Sequence, residues 1–138
     1  MLQKDVRLSI VGSQSRDGER DDDVTLNVNG QLVSENDRHV LTYTEMDDDG
    51  SVDTEIRVEG DVVTMIKTGA AESNMVFERE KTFSAAYNTP FGSLDVSLYP
   101  TLVDAHVGES EGRIELEYIL SMGGEQYVNR VNLTYTSE

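Results

Sequence analysis

Apolar and polar residues alternate along most of this chain, and the alternation limits its fold more than any other feature of the sequence. Val6, Leu8 and Ile10 are each separated by one polar residue, and the same spacing returns from Val24 to Val28. A period of two places every second side chain on the same face of a β-strand. Because no segment sustains the spacing of an amphipathic helix, the sequence predicts an all-β fold built from half-buried strands.

Short turn signals separate the alternating runs. Asp48-Asp49-Gly50 and Gly123-Gly124 are typical of β-hairpins. Connections this short place consecutive strands side by side and antiparallel. We therefore predict about eight or nine strands in one domain that covers residues 1–138, arranged as an up-and-down barrel or as a stacked sandwich.

Two segments depart from the simple alternation. Glu80 to Thr89 shows no clear period, and we predict that it is a short helix or a loop crossing one end of the sheet. From Phe91 to Val107 the chain has the pattern of one long extended segment, in which the apolar positions change from even to odd numbers at Pro100. A change of parity beside a proline predicts a β-bulge or a bend.

The chain is strongly acidic, with a formal net charge of −16 and a calculated isoelectric point near 4.3. Acidic residues cluster from Asp17 to Asp23 and from Met46 to Gly50, where we predict solvated turns that aid solubility. A charge of this sign repels phosphate backbones and anionic membrane surfaces. We therefore expect neither nucleic acid nor a membrane as a partner.

The sequence contains no cysteine, no apolar run long enough to span a membrane as a helix and no apolar segment at its N-terminus. It therefore has no disulfide framework and no thiol chemistry. The lack of a secretion signal and of a membrane segment leads us to expect a cytoplasmic protein.

No motif indicates a metal, a cofactor or a catalytic group. The acidic run that begins at Glu45 matches the first half of a calcium-binding loop, but its twelfth position falls on Ile56, which cannot ligate the ion. His39 and His106 have no second histidine at ligand spacing, so we interpret both as surface residues. We therefore expect no metal and no cofactor.

An ordered set of short motifs runs along the chain: Tyr43-x-Glu45, Thr54, Lys67-Thr68-Gly69, Phe77, Tyr87, Phe91-Gly92-x-Leu94, Gly112-Arg113-Ile114-x-Leu116-x-Tyr118 and Asn132. This set resembles the YwiB-like family of small uncharacterised bacterial proteins. The resemblance extends from about Arg38 to the C-terminus and more loosely over the first two predicted strands. It implies a calycin-like (lipocalin-like) antiparallel β-barrel and no particular activity. One departure is Lys67, because the family pattern has arginine there and a bidentate guanidinium contact would not survive the exchange.

The lumen of such a barrel is its natural binding site. Several polar residues share the parity of their apolar neighbours and would point inward with them. A mostly apolar cavity with a few converging polar groups is the usual form of a small-molecule site. We predict that the ligand-binding residues are Tyr43, Glu45, Thr54, Lys67, Tyr118 and Asn129.

The same residues also have a purely structural interpretation. Glu45 and Lys67 would then form an ion pair near the rim, worth about 0–1 kcal/mol. Tyr43 and Tyr118 would be core residues whose hydroxyls reach solvent or backbone. A barrel of about eight strands can be filled by its own side chains, so the sequence leaves both interpretations open.

Three functions are compatible with these residues. The leading hypothesis is a non-enzymatic barrel that binds a small, partly apolar molecule in its lumen. The alternative is a packed barrel whose surface serves as a protein–protein interaction module, and an enzyme of unknown reaction comes third. The sequence does not distinguish a monomer from a homodimer.

Overall fold

The regular structure of the chain consists of β-strands, as the alternation predicts. The computed structural model describes residues 2–16, 18–20, 23–70, 72–89 and 92–138. No helix within these ranges is long and apolar enough to cross a membrane. The described strands are β1 (Leu2–Arg16), β2 (Glu19–Arg20), β3 (Val24–Glu35), β4 (Arg38–Asp47), β5 (Gly50–Glu59), β6 (Val62–Gly69), β7 (Ser73–Glu78), β8 (Phe83–Thr89), β9 (Gly92–Val107), β10 (Glu111–Met122) and β11 (Glu125–Ser137).

The strands form one sheet in the order β7-β6-β5-β4-β3-β1-β11-β10-β9-β8, with β2 paired to the end of β1. Neighbouring strands that follow one another in sequence are antiparallel, as short hairpin connections require. The first and last strands are also neighbours, because β1 pairs with β3 on one side and with β11 on the other. The sheet curls into a nearly closed barrel whose opening lies between β7 and β8.

Contacts made by β7 and by the turn after it extend across this opening. The rings of Phe77 on β7 and Tyr118 on β10 pack edge to face, with centroids 4.9 Å apart. The backbone amide of Glu80 donates a hydrogen bond to the carbonyl oxygen of Pro100 at 2.9 Å. An edge-to-face aromatic pair contributes about 0.5–1.5 kcal/mol beyond its buried area. These two contacts therefore stabilise the barrel at the opening, where the hydrogen-bonded pairing of the described strands is interrupted.

The core lies on the inner face of the barrel, at the alternating apolar positions. Fully burying one large apolar side chain contributes about 1.5–3 kcal/mol, so this face supplies most of the driving force for folding. The largest side chains that are almost completely buried are Tyr135, Phe77, Leu8, Leu32, Leu41, Ile56, Leu98, Ile114 and Leu133.

The prediction of a short helix or loop from Glu80 to Thr89 was wrong over most of that segment. Phe83 to Thr89 form β8, which pairs with β9 from Phe83 opposite Leu98 to Thr89 opposite Gly92. The small residues Ala85 and Ala86 occupy adjacent positions and hide the period of two. This additional strand and the two-residue β2 raise the number of described strands to eleven, above the predicted eight or nine.

The predicted irregularity at Pro100 is confirmed. The pairing of β9 with β10 shifts there, because Tyr118 faces Pro100 whereas Glu117 faces Leu102. Thr101 is the extra residue, and its hydroxyl donates to the carbonyl oxygen of Glu117 at 3.1 Å. An inserted residue reverses which numbers point inward, which explains the change of parity in the sequence. Phe91, at the start of the predicted segment, lies outside the described residues.

The two acidic runs differ in their secondary structure. The run at Met46 to Gly50 connects β4 to β5 as a hairpin, with Asp47 opposite Gly50, so its flanks are strands. In the other run, Glu19 and Arg20 pair with the end of β1 as β2. Asp17, Asp21 and Asp22 of that run lie outside the described residues.

Substitution of Gly30 by alanine should destabilise the barrel by about 1–3 kcal/mol or more, the usual cost of overpacking. A Cβ atom at Gly30 would collide with the carbonyl oxygen of Thr42 and with Cδ1 of Leu8. Gly12→Ala on β1 is the matched control, because the nearest atom to its Cβ would be the Arg130 carbonyl oxygen at 3.9 Å. Urea unfolding measures both variants, and equal stabilities would contradict the prediction.

Candidate functional site

A row of polar side chains crosses the inner face of β4, β5 and β6. Tyr43 pairs with Thr54, Thr54 pairs with Lys67, and Lys67 pairs with Ser73 on β7. Directly opposed residues on adjacent strands have Cβ atoms about 4.5–5.5 Å apart. The register therefore brings three of the predicted site residues into immediate contact range.

Burial decreases along this row. Tyr43 and Thr54 are buried, with 7% and 1% of their surface exposed. The side chains of Lys67 and Glu45 retain 32% and 29% exposure, and their Nζ and Oε1 atoms are 3.4 Å apart. A half-exposed ion pair of this kind contributes about 0–1 kcal/mol. The row thus runs from the core of the barrel to a polar pair that solvent can reach.

Thr54 has a hydroxyl that the fold does not satisfy. Its Oγ1 atom is buried and has no hydrogen-bond partner. The neighbouring Tyr43 has a raised phenol pKa, mainly because of burial, and the negative charge of Glu45 raises it further. The Thr54 side chain lies close enough to the phenol to offset part of this increase in the pKa of Tyr43.

The other two predicted residues belong to a second group, on β10 and β11. Tyr118 pairs with Asn129, and Asn129 pairs with Gln14 on β1. Gln14 Nε2 donates to Asn129 Oδ1 at 3.0 Å, whereas Asn129 Nδ2 is buried without a partner. Burial raises the pKa of the Tyr118 phenol to about 12.

All six predicted residues occupy inward-facing positions, and they form these two groups. Gln14 belongs to the second group and was missed, although it continues the even-numbered inner face of Val6, Leu8 and Ile10. The parity of β1 could therefore have identified it. Ser73 was missed because the sequence gives no register between β6 and β7.

Apolar side chains near the first group remain partly accessible. Met65 on β6 and Met75 on β7 face each other in the register and pack against the core without being fully buried. Met65 and Lys67 are two residues apart, so they share one face of β6. The polar row therefore lies beside a flexible apolar surface.

The larger indentations of the molecule lie on its outer side. A groove of about 520 Å³ runs over β3 to β6 and is lined by outward-facing residues such as Thr42, and also by Tyr43 and Thr54 of the polar row. Another of about 690 Å³ lies beside the β9–β10 hairpin near Gly108 and Tyr135. The middle of the lumen is filled by core side chains. A smaller indentation of about 360 Å³ reaches the inner face at the second group, where Gln14, Tyr118 and Asn129 line it. At the first group, the side chains of Glu45 and Lys67 keep 29% and 32% of their surface exposed.

The two histidines contact neighbouring polar groups. Ser34 Oγ and His39 Nδ1 are 2.8 Å apart, and His39 is half-buried on β4. His106 Nε2 lies 2.9 Å from Asp104 Oδ1, and its side chain is 67% exposed. Within the described part of the chain, no group of three acidic, histidine or cysteine residues is arranged to hold a metal ion.

Comparisons with known proteins agree with this barrel. The model of a domain of unknown function, DUF1934, matches residues 8–134. The uncharacterized beta-barrel protein YwiB of Bacillus subtilis (strain 168) is 29% identical over 96 residues, which cover 69% of this chain and 68% of that protein. The crystal structure of the ywiB protein from Bacillus subtilis superposes with a TM-score of 0.86 at 22% identity, covering 99% of this chain and 93% of the other. The resemblance inferred from the sequence is confirmed.

Thr54→Val should stabilise the protein by about 1 kcal/mol, because it replaces an unpartnered buried hydroxyl with a methyl group of similar shape. Thr44→Val is the control, since the exposed Thr44 hydroxyl donates to Asp53 Oδ1 at 2.6 Å. The midpoint of urea unfolding reports both changes. A loss of stability in Thr54→Val would show that the hydroxyl is satisfied in solution.

Alkaline pH should weaken the fold through Tyr118. Its folded pKa of about 12 exceeds the ordinary value of 10.0, so the folded chain holds this proton more tightly than the unfolded chain. The resulting stability is fully present below pH 10 and is lost as pH rises towards 12, at most about 2–3 kcal/mol.

The free energy of unfolding, measured at about pH 9 and about pH 11.5, tests this dependence. Tyr118→Phe should flatten the alkaline loss, because it removes the titrating phenol and keeps the ring against Phe77. Tyr99→Phe on the outer face is the control. Identical alkaline slopes in wild type and Tyr118→Phe would contradict the assignment.

Proposed function

Since the chain belongs to the DUF1934 family of unknown function, we propose that it is a non-enzymatic barrel that binds a small, partly apolar molecule on its inner face. The proposed site is the rim formed by Tyr43, Glu45, Thr54 and Lys67. The binding takes place in the cytoplasm, in line with the expectation from the sequence.

The unpartnered hydroxyl of Thr54 is the observation that carries this proposal. Leaving a buried polar group unsatisfied costs about 1–3 kcal/mol, so a bound partner for this hydroxyl would stabilise the protein. Thr54 adjoins Lys67, whose side chain keeps 32% of its surface exposed to solvent. A ligand at the rim could satisfy the hydroxyl, and the cost in the free protein would then be recovered on binding.

The apolar side of the site supports the same function. Met65 and Met75 lie beside the polar row and are only partly buried. Methionine side chains are flexible and polarizable, and they adapt to apolar ligands of different shapes. A few polar groups next to such a surface match the usual composition of a small-molecule site.

Binding is favoured over catalysis by the state of the phenols. Burial raises the pKa of both Tyr43 and Tyr118, so neither supplies a general base near neutral pH. Lys67 Nζ lies 3.4 Å from Glu45 Oε1. The buried phenols are therefore suited to donate hydrogen bonds rather than to accept protons.

A protein-interaction role is the second candidate, favoured by an apolar row on the outer face. Tyr99 faces Ile119, and Ile119 faces Val128, across β9, β10 and β11. Tyr99 and Val128 each retain 38% exposure. Apolar side chains adjacent on a surface are typical of interaction sites when they form a large patch.

Native mass spectrometry of gently purified protein should reveal a discrete extra mass that is lost on denaturation. Methyl NMR then places the ligand, because Met65 and Met75 line the inner face whereas Met46 is 77% exposed on the β4–β5 hairpin. Removal of the ligand should shift the Met65 and Met75 methyl signals and leave Met46 unchanged.

The binding proposal would be contradicted by two results together. The native mass would equal that of the protein alone, and no molecule in a library of small amphiphiles would shift the Met65 and Met75 signals. A stable dimer that Val128→Lys disperses, together with the first of these results, would favour the interaction role. The Thr68→Lys variant, which adds the same charge at an exposed residue of β6, controls for the effect of charge alone on association.

A further inference from the structure

We infer that the molecule bound at this rim presents a hydrogen-bond acceptor, a carboxylate or carbonyl oxygen, to Lys67, Thr54 and Tyr43. This inference rests on the proposed function and specifies the chemistry of the ligand's polar end. Its apolar portion would lie along Met65 and Met75.

Donor groups predominate in the polar row. A lysine ammonium has three N–H donors and no acceptor, and a phenol and a hydroxyl each add one O–H donor. Lys67 directs one donor at Glu45 over 3.4 Å, longer than the 2.7–2.9 Å typical of a strong charge-assisted hydrogen bond. Lys67 therefore retains donor capacity for a further oxygen atom.

The register brings these donors to adjacent positions. Thr54 lies between Tyr43 and Lys67, because it faces the former across β4–β5 and the latter across β5–β6. Its hydroxyl is buried and unpartnered, so it is the donor that gains most from an incoming acceptor. An oxygen placed between Thr54 and Lys67 would be within reach of both.

Glu45 competes with the ligand for Lys67 in this arrangement. Its carboxylate holds the Lys67 side chain towards the inner face and competes with an incoming carboxylate for the same ammonium group. Removing its charge should therefore strengthen the binding of an anionic ligand. Since the chain carries a net charge of −16, a preference for an anion must arise locally and not from the overall field.

The test compares three probes with similar apolar chains: decanoate, 2-undecanone and decylammonium. Dissociation constants come from the Met65 and Met75 methyl signals, and binding that moves only Met46 is scored as surface adsorption. We expect decanoate and 2-undecanone to bind on the inner face and decylammonium to bind there at least about tenfold more weakly, the effect of losing one charged hydrogen bond.

Four variants sharpen this comparison. Lys67→Met should weaken decanoate binding by about tenfold or more, whereas Lys81→Met makes the same charge change at an exposed lysine paired with Glu78 and should leave it unchanged. Glu45→Gln should tighten decanoate binding, whereas Glu59→Gln, at an exposed residue paired with Arg38, should not.

Thr54→Val provides an independent measurement. It should weaken both decanoate and 2-undecanone while making the free protein more stable, a combination that a merely structural hydroxyl does not produce. Because this variant is expected to fold better than wild type, the inference stays testable even if Lys67→Met fails to fold.

The outcomes separate this inference from the proposed function. Inner-face binding of decylammonium as tight as that of decanoate, or decanoate binding unaffected by Lys67→Met and Glu45→Gln, overturns the inference and leaves inner-face binding intact. If none of the three probes moves Met65 or Met75, and the protein carries no ligand of its own, both proposals fail together.

Discussion

The pairing of β1 on both of its edges is the constraint on which the rest of the barrel depends. From Val6 to Gly12, each residue of β1 has a partner on β3 and another on β11, so this strand fixes the register of both halves of the sheet. A slip of one residue would turn every inward side chain outward. Gly30 protects that register, because Leu8 and the Thr42 carbonyl occupy the space that a side chain there would need.

The period of two was enough to predict the inner face, since all six candidate residues occupy inward positions. It failed where Ala85 and Ala86 weaken the contrast between the faces, and β8 was missed for that reason. The opening between β7 and β8 could not be predicted, because closure depends on how ten strands tilt and stagger together. The unpartnered Thr54 hydroxyl depends on the positions of single atoms, which a pattern of residues does not contain.

Residues that stabilise the barrel and residues of the proposed binding site alternate on the same strands. Leu41 and Ile56 are packed as a stable barrel requires, whereas Thr54, two residues before Ile56, is buried at a cost in the free protein. Natural proteins retain such costs where activity needs them, and stabilising substitutions at these positions tend to reduce function. If the proposed binding is the function, selection for binding would retain Thr54, whereas selection for stability alone would replace it with an apolar residue like Ile56.

The placement of the chain ends has a consequence for how the barrel is assembled. Val6 is paired with Ser137, and the amide of Glu138 donates to the carbonyl oxygen of Asp5 at 3.0 Å, whereas the opening lies between strands that are adjacent in sequence. Formation of the central ladder therefore pairs two strands that are far apart in sequence, which makes loop closure costly and folding slow. A circular permutant with Glu138 joined to Leu2 and new ends at residues 79–82 would turn this distant pairing into a local hairpin without cutting any strand of the sheet.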